Sequence, residues 1–525
     1  MSWGLEVLGN LSTSIVNLAG NVSLHGYEGL YSPPALTSWR VTPENPVRYA
    51  NSLDVERCVA LHNEIVQYGW TKSSRGQAGE ELEAVNWYER SSRDDVYRDQ
   101  QLDHVRPRLS SPLAAFLDGA LTTGVEHSFF YHVAGLNSPS DFFTNHEDFQ
   151  NDLEKDRFLT LYAAHNLASH PDGLVYDQFK HKAIMQMSIF DSDYTQNGRT
   201  EWMPLEVILT AWLEMVDVDK VQAVPDDVEF QPWIMVPYSE KQLDSTVTAF
   251  NKLVDAIESR MPNYQPPTDS QHVLSTGDEQ VHQLLSAEDV EAAGIPTGFA
   301  HAFLTKAKRP RFRYIAPGLS IPTPESIKTQ PFRGMRKPRP EWLGEDEADP
   351  GDENVPPTLL FASGDDYETW RDPDRDPKFP DSDRPFFWPY SPLRVFRAGL
   401  YLEPRQEGAW TFEDAVKLVT AEPIGGFGYA RKADGSRFGE NVADKNGITG
   451  YGQRGGTFRD LFQLGHNPYG EMHGPQLEAV LDAWRACVES GEWMVGEHGV
   501  AEGMEKWHDA DTRSKWNKYV VPMKW

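Results

Sequence analysis

YSEKQLDSTVTAFNKLVDAIESRMP, residues 238–262, carries the clearest helix signal in the chain. Ser239 followed three residues later by Gln242 makes a capping box, in which each side chain satisfies a backbone N–H at the helix start. Leu243, Val247, Phe250, Val254, Ile257 and Met261 then recur in steps of three and four, which puts them on one face, and Pro262 ends the run. Working outward, two earlier segments repeat the pattern. In NSLDVERCVALHNEIVQYG, residues 51–69, Val55, Cys58, Val59, His62, Ile65 and Val66 share a stripe and Gly69 reads as the stop. PLEVILTAWLEMV opens on Pro204 and turns Leu205, Ile208, Leu209, Trp212 and Val216 inward.

These helices predict a mainly α chain, α+β overall. Residues 1–262 form a helical domain, 263–355 a linker and extended basic/acidic arm, and 356–525 an irregular, Gly- and aromatic-rich α+β region. In that last region PTLLFASG reads as a strand, TFEDAVKLVTAEP (411–423) as a short helix, and GPQLEAVLDAWRACVESGEW (474–493) as a helix from Pro475 to Gly491.

The chain has 525 residues with 49 Lys+Arg against 79 Asp+Glu, a formal charge of -30. Such a balance disfavours nucleic acid or an anionic membrane as the partner of the whole molecule. Two cysteines, Cys58 and Cys487, exclude a disulfide framework and fit a reducing compartment, so a cytoplasmic location is expected. The N-terminal twenty residues lack the basic and apolar regions of an export signal, and no run of apolar residues is long enough to cross a bilayer.

The charge is unevenly distributed. Residues 306–340 hold ten Lys and Arg against the single acid Glu325, a local +9, so the other 490 residues carry -39. Proline recurs every few residues there, which predicts a polyproline-like or edge-strand arm. Lys308, Arg309, Arg311, Arg313, Arg336, Lys337 and Arg339 are its contact residues, with Phe312, Tyr314 and Phe332 interleaved. Aromatics among arginines suit a single-stranded nucleic acid. They equally suit an acidic protein surface, which this molecule supplies, and self-association through the arm is the expectation.

Chemistry is sought where histidines cluster. His127, His132, His146, His165, His170 and His181 fall within 55 residues, and EHSFFYH and AHNLASH share the spacing H-x4-H. On a regular helix that spacing turns two rings away from one another, so convergence needs a bulge or one histidine beyond the helix end. With Glu126 alongside, His127, His132, His165 and His170 make a candidate His/carboxylate site for a divalent transition metal. Further on, FDSDYTQNGRTEWMPLE resembles an EF-hand calcium loop through Asp191, Asp193, Thr195, Asn197 and Glu201. Its glycine, Gly198, stands eighth rather than sixth, and Pro204 occupies the place of the bidentate Glu. The glycine-rich stretch 424–456 lacks the strand and helix of a dinucleotide site, and no nucleotide motif is present. Cys58 and His62, one helical turn apart, read first as two core residues and second as a catalytic pair. Two functions follow: a soluble enzyme with a metal site in the helical domain, or a self-assembling scaffold or shell subunit clamped by its basic arm.

Overall fold

The computed structural model describes residues 39–82, 85–93, 102–122, 127–144, 156–164, 173–186, 202–225, 232–262, 283–335, 355–364, 370–371, 395–404, 412–420, 462–463, 473–521 and 524–525, with isolated positions 386, 390, 424, 429–430 and 469. Two large apolar cores organise them.

The first core begins with α1 (Val55–Lys72). Asp54 caps it by accepting from the Arg57 N–H, and its carboxylate is also held by Arg48 at 2.6 and 2.8 Å. Of the predicted stripe, Cys58, His62, Ile65 and Val66 are buried, Val55 and Val59 are partly buried, and Leu61 joins the buried face. The helix does not stop at Gly69, however. A Cβ there would come within 2.9 Å of the Trp233 ring, so this glycine serves close approach, not termination. Helix α2 (Ser111–Gly119) lies across α1, and strands β1 (Val133–Leu136), β2 (Phe158–Ala164), β3 (Gly173–Asp177) and β4 (Lys182–Gln186) follow. They form one antiparallel sheet in sequential order. Helix α3 (Leu205–Asp217) and the hairpin β5 (Val221–Ala223) with β6 (Trp233–Met235) complete this part.

The mainly α expectation is therefore wrong: the chain is a mixed α+β fold, and a four-stranded sheet stands where helix alone was expected. The cause is burial on both faces. Every residue of GLVYD in β3, and all but Lys182 of KAIMQ in β4, is buried, so neither strand shows the polar alternation that marks a strand with one wet face.

The second core starts with α4 (Glu240–Glu258), whose capping box between Ser239 and Gln242 is present as read. Next come α5 (Ala287–Ala292), α6 (Phe299–Lys306), β7 (Tyr314–Ala316), β8 (Leu319–Ser320), β9 (Thr358–Ser363), β10 (Gly399–Leu402) and β11 (Val416–Val419). Helix α7 (Leu477–Glu489) and the hairpin β12 (Val495–Gly496) with β13 (Gly499–Val500) close the list. The strands make a seven-membered sheet in the order β11-β10-β9-β8-β7-β13-β12, antiparallel except where β13 meets β7. Phe250, Leu253 and Val254 of α4 share this core with Phe303, Phe361, Leu481 and Trp484, each such side chain contributing about 1.5–3 kcal/mol of burial.

Two further expectations are corrected here. The basic segment is no external arm: β7 and β8 sit inside the sheet, joined at Gly318, whose φ of 69° and contact with Met504 leave no room for a side chain. TFEDAVKLVTAEP is no helix, because V-K-L-V pairs with β10 as β11 after a turn at 412–415. Among the described residues no helix is long and apolar enough to cross a membrane.

Candidate functional site

Of the candidate metal ligands, His127 and His132 lie among the described residues, and each sits in its own aromatic surroundings. Between His127 and β1 the backbone turns back on itself, with Phe130 and Val133 exchanging hydrogen bonds at 3.0 and 3.1 Å, so the first H-x4-H spans a reverse turn and not a helix. His127 sits edge-on to Trp70 at 5.9 Å and lines a small cavity with Ile65, Gly69 and Phe129 that has room for roughly one water molecule. His132 is fully buried against Phe130 and Trp212. Glu126, His165 and His170 lie outside the described residues, as do Asp191, Asp193, Thr195, Asn197 and Glu201 of the calcium candidate. Among the described residues no three of His, Cys, Asp and Glu group as a metal site.

Cys58 and His62 are core residues. Nε2 of His62 lies 2.7 Å from the Leu121 carbonyl, which can only accept, so that nitrogen carries the proton and Nδ1 accepts from the Tyr162 hydroxyl at 2.8 Å. Burial lowers the imidazole to about 4, which keeps it neutral. The Cys58 thiol faces Glu206 Oε2 at 3.7 Å, and burial raises it well above its ordinary range, so no thiolate nucleophile is present. Glu206, in the first turn of α3, is 1% exposed and has no ion pair among the described residues. The neighbouring Arg57 guanidinium is engaged by Pro46, Asn45 and Asp54. Burial accordingly pushes the Glu206 carboxyl up to about 7.

A second buried charge cluster was not anticipated from the residues. Asp219, with φ of 58°, turns the chain out of α3 and points Lys220 inward. The Lys220 ammonium is fully buried, donates to the Pro237 carbonyl at 2.8 Å and lies 4.2 Å from the centre of the Phe412 ring. Glu413 and Asp414 come from the turn before β11. Glu413 Oε2 accepts from the Phe299 N–H at 2.8 Å and so caps α6, where Gly298 leaves it space. Asp414 accepts from Gln242 Nε2 at 3.3 Å. Burial lowers Lys220 to about 8 against the pull of Asp414 and Glu413, and raises Asp414 against the pull of Lys220. Phe412, which covers the ammonium, is itself stacked on His473 at 3.8 Å. The arrangement joins α3, α4, α6 and β11. The available signal was the Glu-Asp pair one residue ahead of V-K-L-V, masked by reading that stretch as a short helix.

Among the described candidate residues, those of the basic segment are the exposed ones. Lys306 pairs with Glu240 at 2.6 Å, and Lys308 with Asp255 at 3.0 Å, so two of its cations rest on the acidic face of α4 in the same chain. The Arg311 N–H donates to Glu258 at 3.1 Å, beside the C-terminus of that helix. Phe312 is buried, while the side chains of Arg309, Arg311 and Arg313 face solvent. Arg313 and Tyr314 also donate their N–H groups to the His498 carbonyl, in the hairpin that carries Met494, a methionine 66% exposed. Arg336, Lys337 and Arg339 lie outside the described residues. Compared with protein-family models, curated proteins and solved structures, the chain gives no match.

Proposed function

We propose that the chain is a structural, self-associating subunit, with Arg309, Arg311 and Arg313 on its contact surface. The observation that carries this reading is the division of labour within the basic segment. Lys306 and Lys308 are taken up by α4, whereas Arg309 and Arg311 are exposed, as is Arg313 over the Tyr314 ring, on a molecule whose 490 residues outside 306–340 carry -39. An acidic face of a second copy is a complementary partner for them, and the exposed Met494 on the adjoining hairpin adds apolar area. The metal-enzyme reading has no comparable support, since His127 and His132 occupy separate aromatic surroundings.

Light scattering on the full chain at micromolar concentration tests the proposal. The expected mass exceeds the 59.4 kDa of one chain and falls as salt is raised, because ions screen contacts between exposed charges. Arg309→Glu, Arg311→Glu and Arg313→Glu together should shift the population to single chains. A mass of one chain at every concentration and ionic strength would show the proposal to be wrong.

A further inference from the structure

The other core displays an aromatic side chain on a turn that is rigid before anything binds it. Between β3 and β4 the chain reverses through Gln178–His181, and nearly every group in the turn is tied down. Asp177 Oδ1 accepts from the N–H groups of Phe179 and Lys180 at 3.0 and 3.1 Å, while Oδ2 is held by Arg157 at 2.8 Å. Gln178 is buried, accepts from the Ser110 N–H at 2.6 Å, and donates to the carbonyls of Arg108 and Asp156. His181 holds φ of 53° with Nδ1 3.0 Å from the Tyr176 hydroxyl. Phe179 is left facing outward, 56% exposed, with Lys180 exposed beside it and Lys182 one residue beyond the turn.

Turns of this kind are made by Gly, Asn, Asp or Ser, each for a backbone reason, and none of those reasons calls for phenylalanine. A large ring in water is a cost to the monomer, and it becomes a gain when a partner covers it. Because the turn is already fixed, covering it carries little ordering cost. Rigid aromatics are the residues on which interface affinity concentrates.

We propose that Phe179 and Lys180 form an anchor that docks on a second copy of this chain. The occupant is argued from charge: the tip presents Lys180 and Lys182, and a chain with 79 acids against 49 bases supplies the complementary surface. The proposal rests on the self-associating reading above and adds a second contact to it. The tip belongs to the first core and the exposed arginines to the second, so one chain carries two different patches. In each contact a cationic patch meets an acidic face of the next copy, so the contacts are heterologous, and they build rings or open arrays rather than stopping at a dimer.

Sedimentation velocity on the full-length wild type, Phe179→Ala and Lys180→Glu tests the anchor. Phe179→Ala should weaken association about tenfold or more, and Lys180→Glu by a few-fold with a shallower salt dependence. Far-ultraviolet circular dichroism and the thermal midpoint should stay those of the wild type, since both side chains are exposed. If the wild type associates and both variants associate equally well, the anchor is wrong and self-association stands. A wild type that sediments only as single chains overturns both.

Discussion

Glu206 and Lys220 are both fully buried ionisable groups, one near the start of α3 and one just past its end, yet they are held in opposite ways. Glu206 faces a thiol, and its neighbouring cation Arg57 is engaged by Pro46, Asn45 and Asp54, whereas Lys220 faces two acids, a carbonyl and an aromatic ring. An uncompensated buried carboxylate answers by keeping its proton, and a compensated ammonium keeps its charge at neutral pH. The difference separates a group whose charge the fold suppresses from one whose charge the fold uses.

Removing Lys220 gives the largest expected effect. Lys220→Met leaves Asp414 and Glu413 buried without their cation and removes one of two hydrogen bonds to the Pro237 carbonyl, which should cost about 3–5 kcal/mol of unfolding free energy near pH 7. Burial raises the Asp414 carboxyl, so the loss should shrink as the pH falls far enough to protonate it. Chemical denaturation over a series from neutral to acid pH measures it, and a loss that stays constant down to the acid limit of folding would break the contrast.

Glu206→Gln should act in the opposite direction. Between pH 4.5 and about 7 the folded chain holds a proton on Glu206 that the unfolded chain has released, so this group makes stability fall as pH rises through that window. The glutamine has nothing to titrate and can still accept from Cys58. It should remove the slope and leave the variant more stable by about 3 kcal/mol above pH 7. Lys220 has the converse dependence. The unfolded chain binds the extra proton between about pH 8 and 10.5, so stability should rise with pH there, and that rise should vanish in Lys220→Met. Near pH 7–8 both groups bear their full burial cost at once.

The smallest expected effect sharpens the comparison by taking burial away. Lys308 and Asp255 approach to 3.0 Å, but their side chains are 43% and 67% exposed, so Lys308→Ala should cost about 0.5 kcal/mol or less. A loss approaching that of Lys220→Met would mean that the second carboxylate near Lys308, that of the largely buried Glu258 at 3.8 Å, carries the contact.

The helices were legible because each writes its own periodicity. The stripes Leu243–Phe250–Val254 and Leu477–Leu481–Trp484 need nothing beyond neighbours three or four residues away. The strands were not. β3 and β4 are buried on both faces and show a run where alternation was sought, and β7 and β8 hide in a stretch whose prolines and arginines read as a solvent-exposed arm. Proline disfavours the centre of a sheet, but Pro317 stands in the turn between the two strands, where no ladder N–H is needed. Gly69 was misread for a related reason, since a glycine that admits Trp233 and a glycine that ends a helix look alike until the tryptophan is placed. The Lys220 cluster was invisible because its members meet only when α3, α4 and β11 converge.

The packing of α4 on α7 sets a schedule for synthesis. Phe250 and Trp484 belong to one core, but α7 begins roughly 220 residues after α4 ends. At ~5–20 residues per second, α4 waits on the order of 10–40 s beside the ribosome with its apolar stripe uncovered by that partner. Over the same interval the first four strands, which are sequential neighbours, can already pair. Birth of this protein is thus a period in which one half can fold while the other holds a greasy helix open to chaperones and to other nascent copies.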